Sequence, residues 1–540
     1  MSSAAQARSD LSAPFELIVI GAGINGAAIA REAALAGLKV LVVERDDIGA
    51  GTSSASSRLI HGGLRYLEYG ELGLVYESLH ERERLLRHAP HLVKPLELVI
   101  PVYRGARRPR WQIAIGLAVY DLLSIGRSVP GRTLLDRDEL LARIPGLNPR
   151  ELVGGASYYD AQARYPERLV VENLRDAVAN GAVLKTRTRA TRVRVVGGRA
   201  VGIEWRAADG ATGDATAPLI VNAAGPWVDE VLGPIQHTRL LGGTKGSHVI
   251  VPTFPGAPRT GVYVEAAADG RPFFILPWND LLLIGTTDER FEGDAGAATI
   301  DSREIAYLTT ETERKFPGVA GLADRVLYTH TGIRPLPWQP RGATAAITRS
   351  HVIRRHRAAR GLYSVVGGKL TTHRALAEDV LRKVRRELPR PIAGHPTRTR
   401  PLPGALDVLE RDALLADLGA RFGSAQAQRM WNVYGGAAAE VAALAMRGDL
   451  AAQIDATSGV LAAELIYALE REWAVTLDDL LQRRCMAGLG ADFGLGTARG
   501  AAAALVRLGI WDAASAAAEL DAYHALAVRH RVAASTLAAA

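Results

Sequence analysis

Apolar residues are arranged in two ways along this chain. Through roughly the first 370 positions they form short continuous runs punctuated by glycine, a pattern of buried strands. Beyond about residue 404 they recur at helical spacing in an Ala- and Leu-rich stretch, which predicts a separate all-helical domain. The first run, Phe15 to Ile20, passes directly into Gly21-Ala-Gly-Ile-Asn-Gly26. Helix formers fill Ala27 to Ala36, Gly37 can end that helix, and a second run, Lys39 to Val43, closes on Glu44. In such a unit Gly21 permits the tight turn, Gly23 lets the backbone approach a pyrophosphate, and Gly26 lets helix and strand pack closely. The helix N-terminus faces the phosphates, and the Glu44 carboxylate accepts hydrogen bonds from ribose hydroxyls. The unit predicts a dinucleotide site without choosing between NAD and FAD.

Further along, Gly49 to Arg58 is dense in glycine and hydroxyls and runs into Leu59-Ile-His-Gly-Gly-Leu-Arg-Tyr-Leu67, a composition suited to contact with an anionic or planar ligand. Gly73 to His88 has the spacing of an exposed amphipathic helix. Arg104, Arg107, Arg108 and Arg110 lie beside Trp111 and the apolar Ile113 to Ile125, which suits either a monotopic membrane contact or a basic loop before a buried helix. Thr188 to Val196 and Ala200 to Ala207 flank Gly197-Gly198 as a hairpin. Leu219 to Gly225 is another strand ending in small residues, where ligands of open α/β sheets sit. From Leu240 to about Glu311 short strands without long helices predict an antiparallel cap. Gly361 to His373 then predicts a strand, a Gly-Gly turn and a helix start returning to the nucleotide fold.

Length changes this picture little: 540 residues exceed one hydrophobic core, so two or three domains are expected. The net charge of +8 admits an acidic substrate, anionic lipid or nucleic acid. One cysteine, Cys485, excludes a disulfide framework, a Cys-only metal cluster and a dithiol redox pair, and suits a reducing compartment. No run approaches the about 20 apolar residues of a membrane span, and Met1 to Pro14 lacks the apolar centre of a signal peptide.

The motifs together resemble the FAD-dependent glycerol-3-phosphate dehydrogenases, the membrane-peripheral, quinone-reducing kind. The matching segments are ELIVIGAGINGAAIAREAALAGLKVLVVER, GTSSASSRLIHGGLRYLE, LIVNAAGPWVD, KGSHVIVP, GIRPL, AITR, SVVGGKLTTHR and the C-terminal AELIYALEREWAVTLDDLLQRR. VNAAGPW recurs across the wider glycine- and D-amino-acid-oxidase superfamily, whereas HGGLRYLE with KGSH and GGKLTTHR is narrower. The resemblance implies an α/β architecture: a Rossmann-like FAD-binding domain over 15–239, with an inserted segment at about 100–145, returning over 326–388. It further implies a substrate-binding β-sheet cap over 240–325, a linker over 389–403 and a helical domain over 404–540, with 1–14 a disordered tail.

The same resemblance assigns FAD to the opening motif. Gly21, Gly23, Gly26 and Glu44 would hold the adenosine and pyrophosphate half, and Thr52, Ser53, Ser57, Gly62 and Gly63 would run along the flavin half. Gly225 would approach the cofactor at its strand end, and Gly332, Gly368, Leu370 and Thr371 would close over the ribityl and pyrimidine end. Arg65, Arg334 and Arg349 fall in motifs resembling the substrate site, with Tyr66, Lys245 and His248 as further substrate contacts; a phosphate monoester favours arginine. Oxidation of a secondary alcohol sends a hydride to flavin N5 while a base removes the hydroxyl proton. His61 is the first candidate base and His248 the second, with Arg334 and Lys369 stabilising the alkoxide. No metal site and no nucleic-acid partner are expected. The implied setting is cytoplasmic, on the inner face of the cytoplasmic membrane, with a quinone acceptor, anionic lipid and a homodimer. An oxidase making hydrogen peroxide, and an enzyme acting on 2-hydroxy or 2-amino acids, are the alternatives. The short interval from Leu336 to Gly367 favours the dehydrogenase, and the lack of an EF-hand-like loop the bacterial type. Arg58 and His373 stand where the family often carries Lys and Tyr.

Overall fold

The structure is a computed structural model that describes residues 13–392 and 394–531, together with residue 11. Most of the expected N-terminal tail and the last nine residues of the expected helical domain fall outside that range.

The glycine unit forms as its pattern dictates. Leu17–Ile20, entirely buried, lies between Val40–Val43 and Ile220–Asn222, both parallel to it. The full sheet runs in the order Val352–Arg355, Leu362–Val366, Ile220–Asn222, Leu17–Ile20, Val40–Val43, Val183–Lys185. Only its outermost strand Val352–Arg355 is antiparallel. The return strand thus pairs with Ile220–Asn222, far from the opening glycines in sequence and one strand removed from them in space. The helix Ile24–Leu35 covers one face, sandwiched by Pro166–Ala179 and His373–Val384. Alanines dominate its buried surface, which lets three helices lie close together over the sheet. The hairpin at Gly197-Gly198 forms as expected, extended by Thr212–Thr216 into a three-stranded sheet.

The second sheet has ten strands and is not confined to 240–325. Leu59–Ile60, Val93–Tyr103, Thr133–Leu135 and Leu152–Ala163 join it, and Val93–Tyr103 pairs in parallel with Gly261–Glu265. The chain therefore crosses between the sheets before, as well as after, residue 240. Ser302–Lys315 is a 14-residue helix where short strands alone were expected. Its start is set by a capping box in which Asp301 accepts from Glu304 N and Glu304 accepts from Asp301 N.

Leu72–His88 is not the exposed amphipathic helix its charges suggest. Leu74, Val75, Leu79 and Leu85 are buried, and so are Glu81, Arg82 and Glu83, each held in ion pairs. The helical region from Val408 onward docks on the cofactor domain through buried charge pairs. Asp47 is bound by Arg483 at 2.6 Å and by both terminal nitrogens of Arg484 at 2.9 and 2.6 Å. Arg168 and Glu472, both fully buried, pair bidentately at 2.6 and 2.7 Å.

Candidate active site

A cavity of about 370 Å³ runs along the carboxyl ends of the six-stranded sheet; it begins at Glu44, passes the first turn of the opening helix and ends at Gly367–Leu370. Gly26 explains the closeness of that turn, because a Cβ there would overlap the Gly21 carbonyl oxygen. The Glu44 carboxylate accepts the Ala22 N–H at 2.7 Å and the Asp46 N–H at 2.9 Å, one on each oxygen. Each oxygen retains a lone pair for a ribose hydroxyl. Ser53 Oγ accepts the Ile24 N–H at 3.0 Å, so the serine loop caps the helix from across the cavity. Gly21, Gly23, Thr52, Gly225, Gly368 and Leu370 also line it. Asn25, at the helix start, has a buried Oδ1 without a partner among the described residues. A glycine-lined cradle, a helix N-terminus and a buried amide oxygen without a partner fit an extended dinucleotide.

At the Gly367–Leu370 end the turn His61-Gly62-Gly63 is fixed from three directions. Thr371 Oγ1 accepts the His61 N–H at 3.1 Å, and the buried Asp160 accepts the Gly62 N–H at 3.3 Å. Lys369 Nζ donates to the carbonyls of His61 and Gly62 at 3.1 and 3.2 Å and to Ser78 Oγ at 2.9 Å. With its three N–H directions so used, Lys369 pins the turn and is not free to reach an alkoxide as expected. Burial pushes its pKa down to about 7. The His61 imidazole, by contrast, has no hydrogen-bond partner among the described residues and meets only the edge of Phe274, ring centres 6.3 Å apart. Burial, then Lys369 and Arg65, hold its pKa well below the ordinary histidine value, so it is a neutral acceptor near pH 7.

His248 is built differently. It lies in a cross-strand row, Phe274, Gly285, His248, His330, that roofs the site. Its Nε2 is bonded to Ser57 Oγ at 2.8 Å, and it is 2 % exposed. Burial, then Arg334 and Arg58, push its pKa down to about 3. Ser57 is thereby committed to His248, and Thr52 Oγ1 donates to the Ile333 carbonyl at 2.7 Å, joining the serine loop to the strand carrying Gly332. Lys245 is turned away from the site. Strand alternation puts it on the opposite face from His248, where it pairs with Glu304 at 2.8 Å and Asp301 at 3.6 Å.

The arginines separate into two kinds. Arg65 has no hydrogen bond or ion pair among the described residues, and its guanidinium lies 5.8 Å from the Tyr66 ring centre. Arg334 donates to Asp288 Oδ1 at 3.1 Å and Thr286 Oγ1 at 2.9 Å. Arg349, 6 % exposed, donates to Asp288 Oδ2 at 3.2 Å and to the Thr344 and Ile347 carbonyls, and so stands behind Asp288 instead of facing a ligand. Gly246 leaves the room Arg334 needs, since a Cβ there would overlap its guanidinium. Arg58, where the family often has Lys, is buried in a bidentate pair with Glu167 at 2.9 and 3.0 Å. His373 Nδ1 bonds the Leu370 carbonyl at 2.7 Å. Asp288, Thr286 and Ser78 are site residues that motif reading passed over, because a single carboxylate or hydroxyl at a strand or helix position has no spacing signature.

Residues 16–382 match the family model described as FAD dependent oxidoreductase, and residues 395–516 the C-terminal domain of alpha-glycerophosphate oxidase. The chain is 38% identical to the glycerol-3-phosphate dehydrogenase of Synechocystis sp., covering 94% of this chain and 96% of that one. The chain belongs to the FAD-dependent glycerol-3-phosphate dehydrogenase family. This flavoenzyme is equally, at 38%, identical to the D-erythritol 1-phosphate dehydrogenase of Brucella abortus over 87% of its own length and 93% of the relative's. Its fold matches the solved structure of the glycerol-3-phosphate dehydrogenase from Bacillus halodurans complexed with FAD, with TM-score 0.78 at 24% identity, covering 96% of this chain and 95% of that one. FAD is therefore the cofactor of this enzyme.

Proposed function

We propose that the enzyme oxidises the secondary hydroxyl of glycerol 3-phosphate to the ketone, giving dihydroxyacetone phosphate. The observation that carries this reading is the pairing of an uncommitted guanidinium, Arg65, with an uncommitted neutral imidazole, His61, on one turn beside the end of the cofactor cavity. FAD supplies a two-electron acceptor for the hydride. Arg65 and the open side of Arg334 hold the phosphate, where charge-assisted bonds are strongest, and the Tyr66 hydroxyl borders the same turn. His61 takes the hydroxyl proton. His248 orients the roof through Ser57 and is a weaker candidate base, because its Nε2 is already bonded.

The test is anaerobic: glycerol 3-phosphate should bleach the flavin absorption of the purified protein, and glycerol at equal concentration should not. The similarity to a D-erythritol 1-phosphate dehydrogenase favours one specific alternative, a four-carbon polyol phosphate. Faster bleaching by D-erythritol 1-phosphate would replace the substrate assignment. Bleaching by a 2-hydroxy or 2-amino acid alone would remove the phosphate-ester reading.

The proposal extends to a quinone as acceptor and a peripheral position on the inner face of the cytoplasmic membrane. No described helix is long and apolar enough to cross a membrane. On the helix Arg110–Leu123 and just past it, however, Trp111, Ile115, Leu122 and Ile125 are 66%, 57%, 65% and 73% exposed. Their spacing puts Trp111, Ile115 and Leu122 on one face, with Tyr69 and Leu72 exposed on the adjoining segment. Arg104 and Arg107, exposed and without a carboxylate partner among the described residues, border that face. Aromatic and aliphatic residues edged by arginine suit the headgroup boundary of anionic lipid. Ile115→Ser with Leu122→Ser should lower binding to vesicles containing anionic lipid by about a hundredfold or more, since burying two such side chains contributes about 1.5–3 kcal/mol each. Unchanged cosedimentation would exclude this face. Stoichiometric peroxide in air without a quinone analogue would make the enzyme an oxidase instead.

A further inference from the structure

The arginine cluster has one carboxylate at its centre, and that carboxylate is shared. Asp288, 7 % exposed, gives Oδ1 to Arg334 at 3.1 Å and Oδ2 to Arg349 at 3.2 Å. Its carbonyl accepts from Arg271 at 2.6 Å and from the Thr344 hydroxyl at 3.3 Å, so the backbone is fixed on the same side as the side chain. Burial opposes ionisation, yet Arg334, Arg349, Arg65 and Arg271 outweigh it and hold the carboxyl below its ordinary range. Arg334 is gripped at its other terminal nitrogen by Thr286 Oγ1 and the Thr287 carbonyl, at 2.9 and 3.2 Å. Without Asp288, the guanidiniums of Arg334 and Arg349 would approach one another with only neutral groups between them.

The geometry points to Asp288 as a positioning residue for substrate phosphate, holding the Arg334 guanidinium in a fixed plane with Arg349 as its counter-cation. This rests on the phosphate-ester reading above. Arg349 then influences the substrate only through Asp288, whereas Arg65 reaches the phosphate directly and faces Asp288 across the cluster. Asp288 never touches the reacting carbon, so its loss changes how well the phosphate is held far more than how fast the bound substrate reacts.

Asp288→Asn keeps the shape and removes the charge. With glycerol 3-phosphate and an artificial acceptor, KM and the competitive inhibition constant of inorganic phosphate should rise together by about tenfold or more, with kcat within about threefold. Arg349→Met should give the same split, and the double variant should be no worse than either single one, whereas Arg65→Met should weaken phosphate binding further in the Asp288→Asn background. Flavin absorption and Tm report folding. An unchanged KM in a flavin-loaded Asp288→Asn protein, or multiplying effects of Asp288→Asn and Arg349→Met, would overturn the assignment. If Asp288→Asn fails to load flavin, Thr286→Val loosens Arg334 from its other side and should raise KM and the phosphate constant alike; no rise in either would overturn it too. Should the wild type not oxidise glycerol 3-phosphate, the functional reading falls first. The phosphate-induced change in its flavin spectrum still tests the fork: weakening by about tenfold in Asp288→Asn sustains it, and an equal response refutes it.

Discussion

His61→Asn is expected to lower kcat by about 10²- to 10⁴-fold, the range for loss of a positioned general base, while the protein stays yellow. The reason lies in how the side chain is held. The backbone of His61 is tied to Thr371 and Lys369, but the ring is not tied to anything, so substitution leaves the turn intact and removes only the proton acceptor. The pH profile carries the sign. A group whose pKa is pushed below its ordinary value is neutral, and therefore competent as a base, at neutral pH, and loses competence only as pH falls through that lowered value. The wild-type kcat/KM should hold its plateau down past pH 6.5, the ordinary histidine value, and the acid limb should vanish in His61→Asn. Stopped-flow flavin reduction across pH decides this. A variant retaining more than a tenth of wild-type kcat would shift the assignment to His248, whose own replacement by Asn should otherwise be the milder lesion.

Gly26→Ala is expected to abolish stable FAD binding altogether, giving a colourless protein that free FAD does not restore. The added methyl would sit on the Gly21 carbonyl oxygen, a backbone atom that no rotamer change can move. Relief requires the helix Ile24–Leu35 to lift from Leu17–Ile20. Yet that helix is buried along ten of its twelve residues between two others, so the turn itself must deform, and with it the N–H groups aimed at the pyrophosphate. Absorbance at the flavin band after dialysis against FAD is the measurement; a yellow Gly26→Ala protein would show that the helix can yield. The same substitution at Gly197, in the hairpin turn with open space where a Cβ would stand and a φ of +56°, should be far less damaging.

Much of this was legible before any coordinates. Glycine spacing and uninterrupted apolar runs announce a parallel sheet because a strand buried on both faces admits little else, and the return strand Leu362–Val366 carries the same mark. HGGLRY falls on the turn that Lys369 and Thr371 hold, and KGSH on the strand Thr244–Pro252. What the chain could not declare is direction. Lys245 and His248 are three residues apart, and only strand alternation separates them, one to the roof and one to an acidic pocket. Lys369 and Arg349 sit in site motifs and serve the site from behind. Leu72–His88 looked solvated because its charges are many, and it is buried because nearly every buried charge has a partner elsewhere in the chain, which no local pattern records. Asp288 escaped for the converse reason: its partners Arg334 and Arg349 lie on other segments.

The docking of the helical region has a further consequence. Asp47 belongs to the segment that leads from Glu44 into the serine loop, and its whole charge is answered from the other side by Arg483 and Arg484. Without the helical region Asp47 and Arg168 would lose the partners that neutralise them at this interface. The segment entering the serine loop and the helical region thus share one ion-pair cluster, so FAD binding is expected to steady both. Limited proteolysis should therefore cut the helical region of the apoprotein faster than that of the FAD-loaded enzyme.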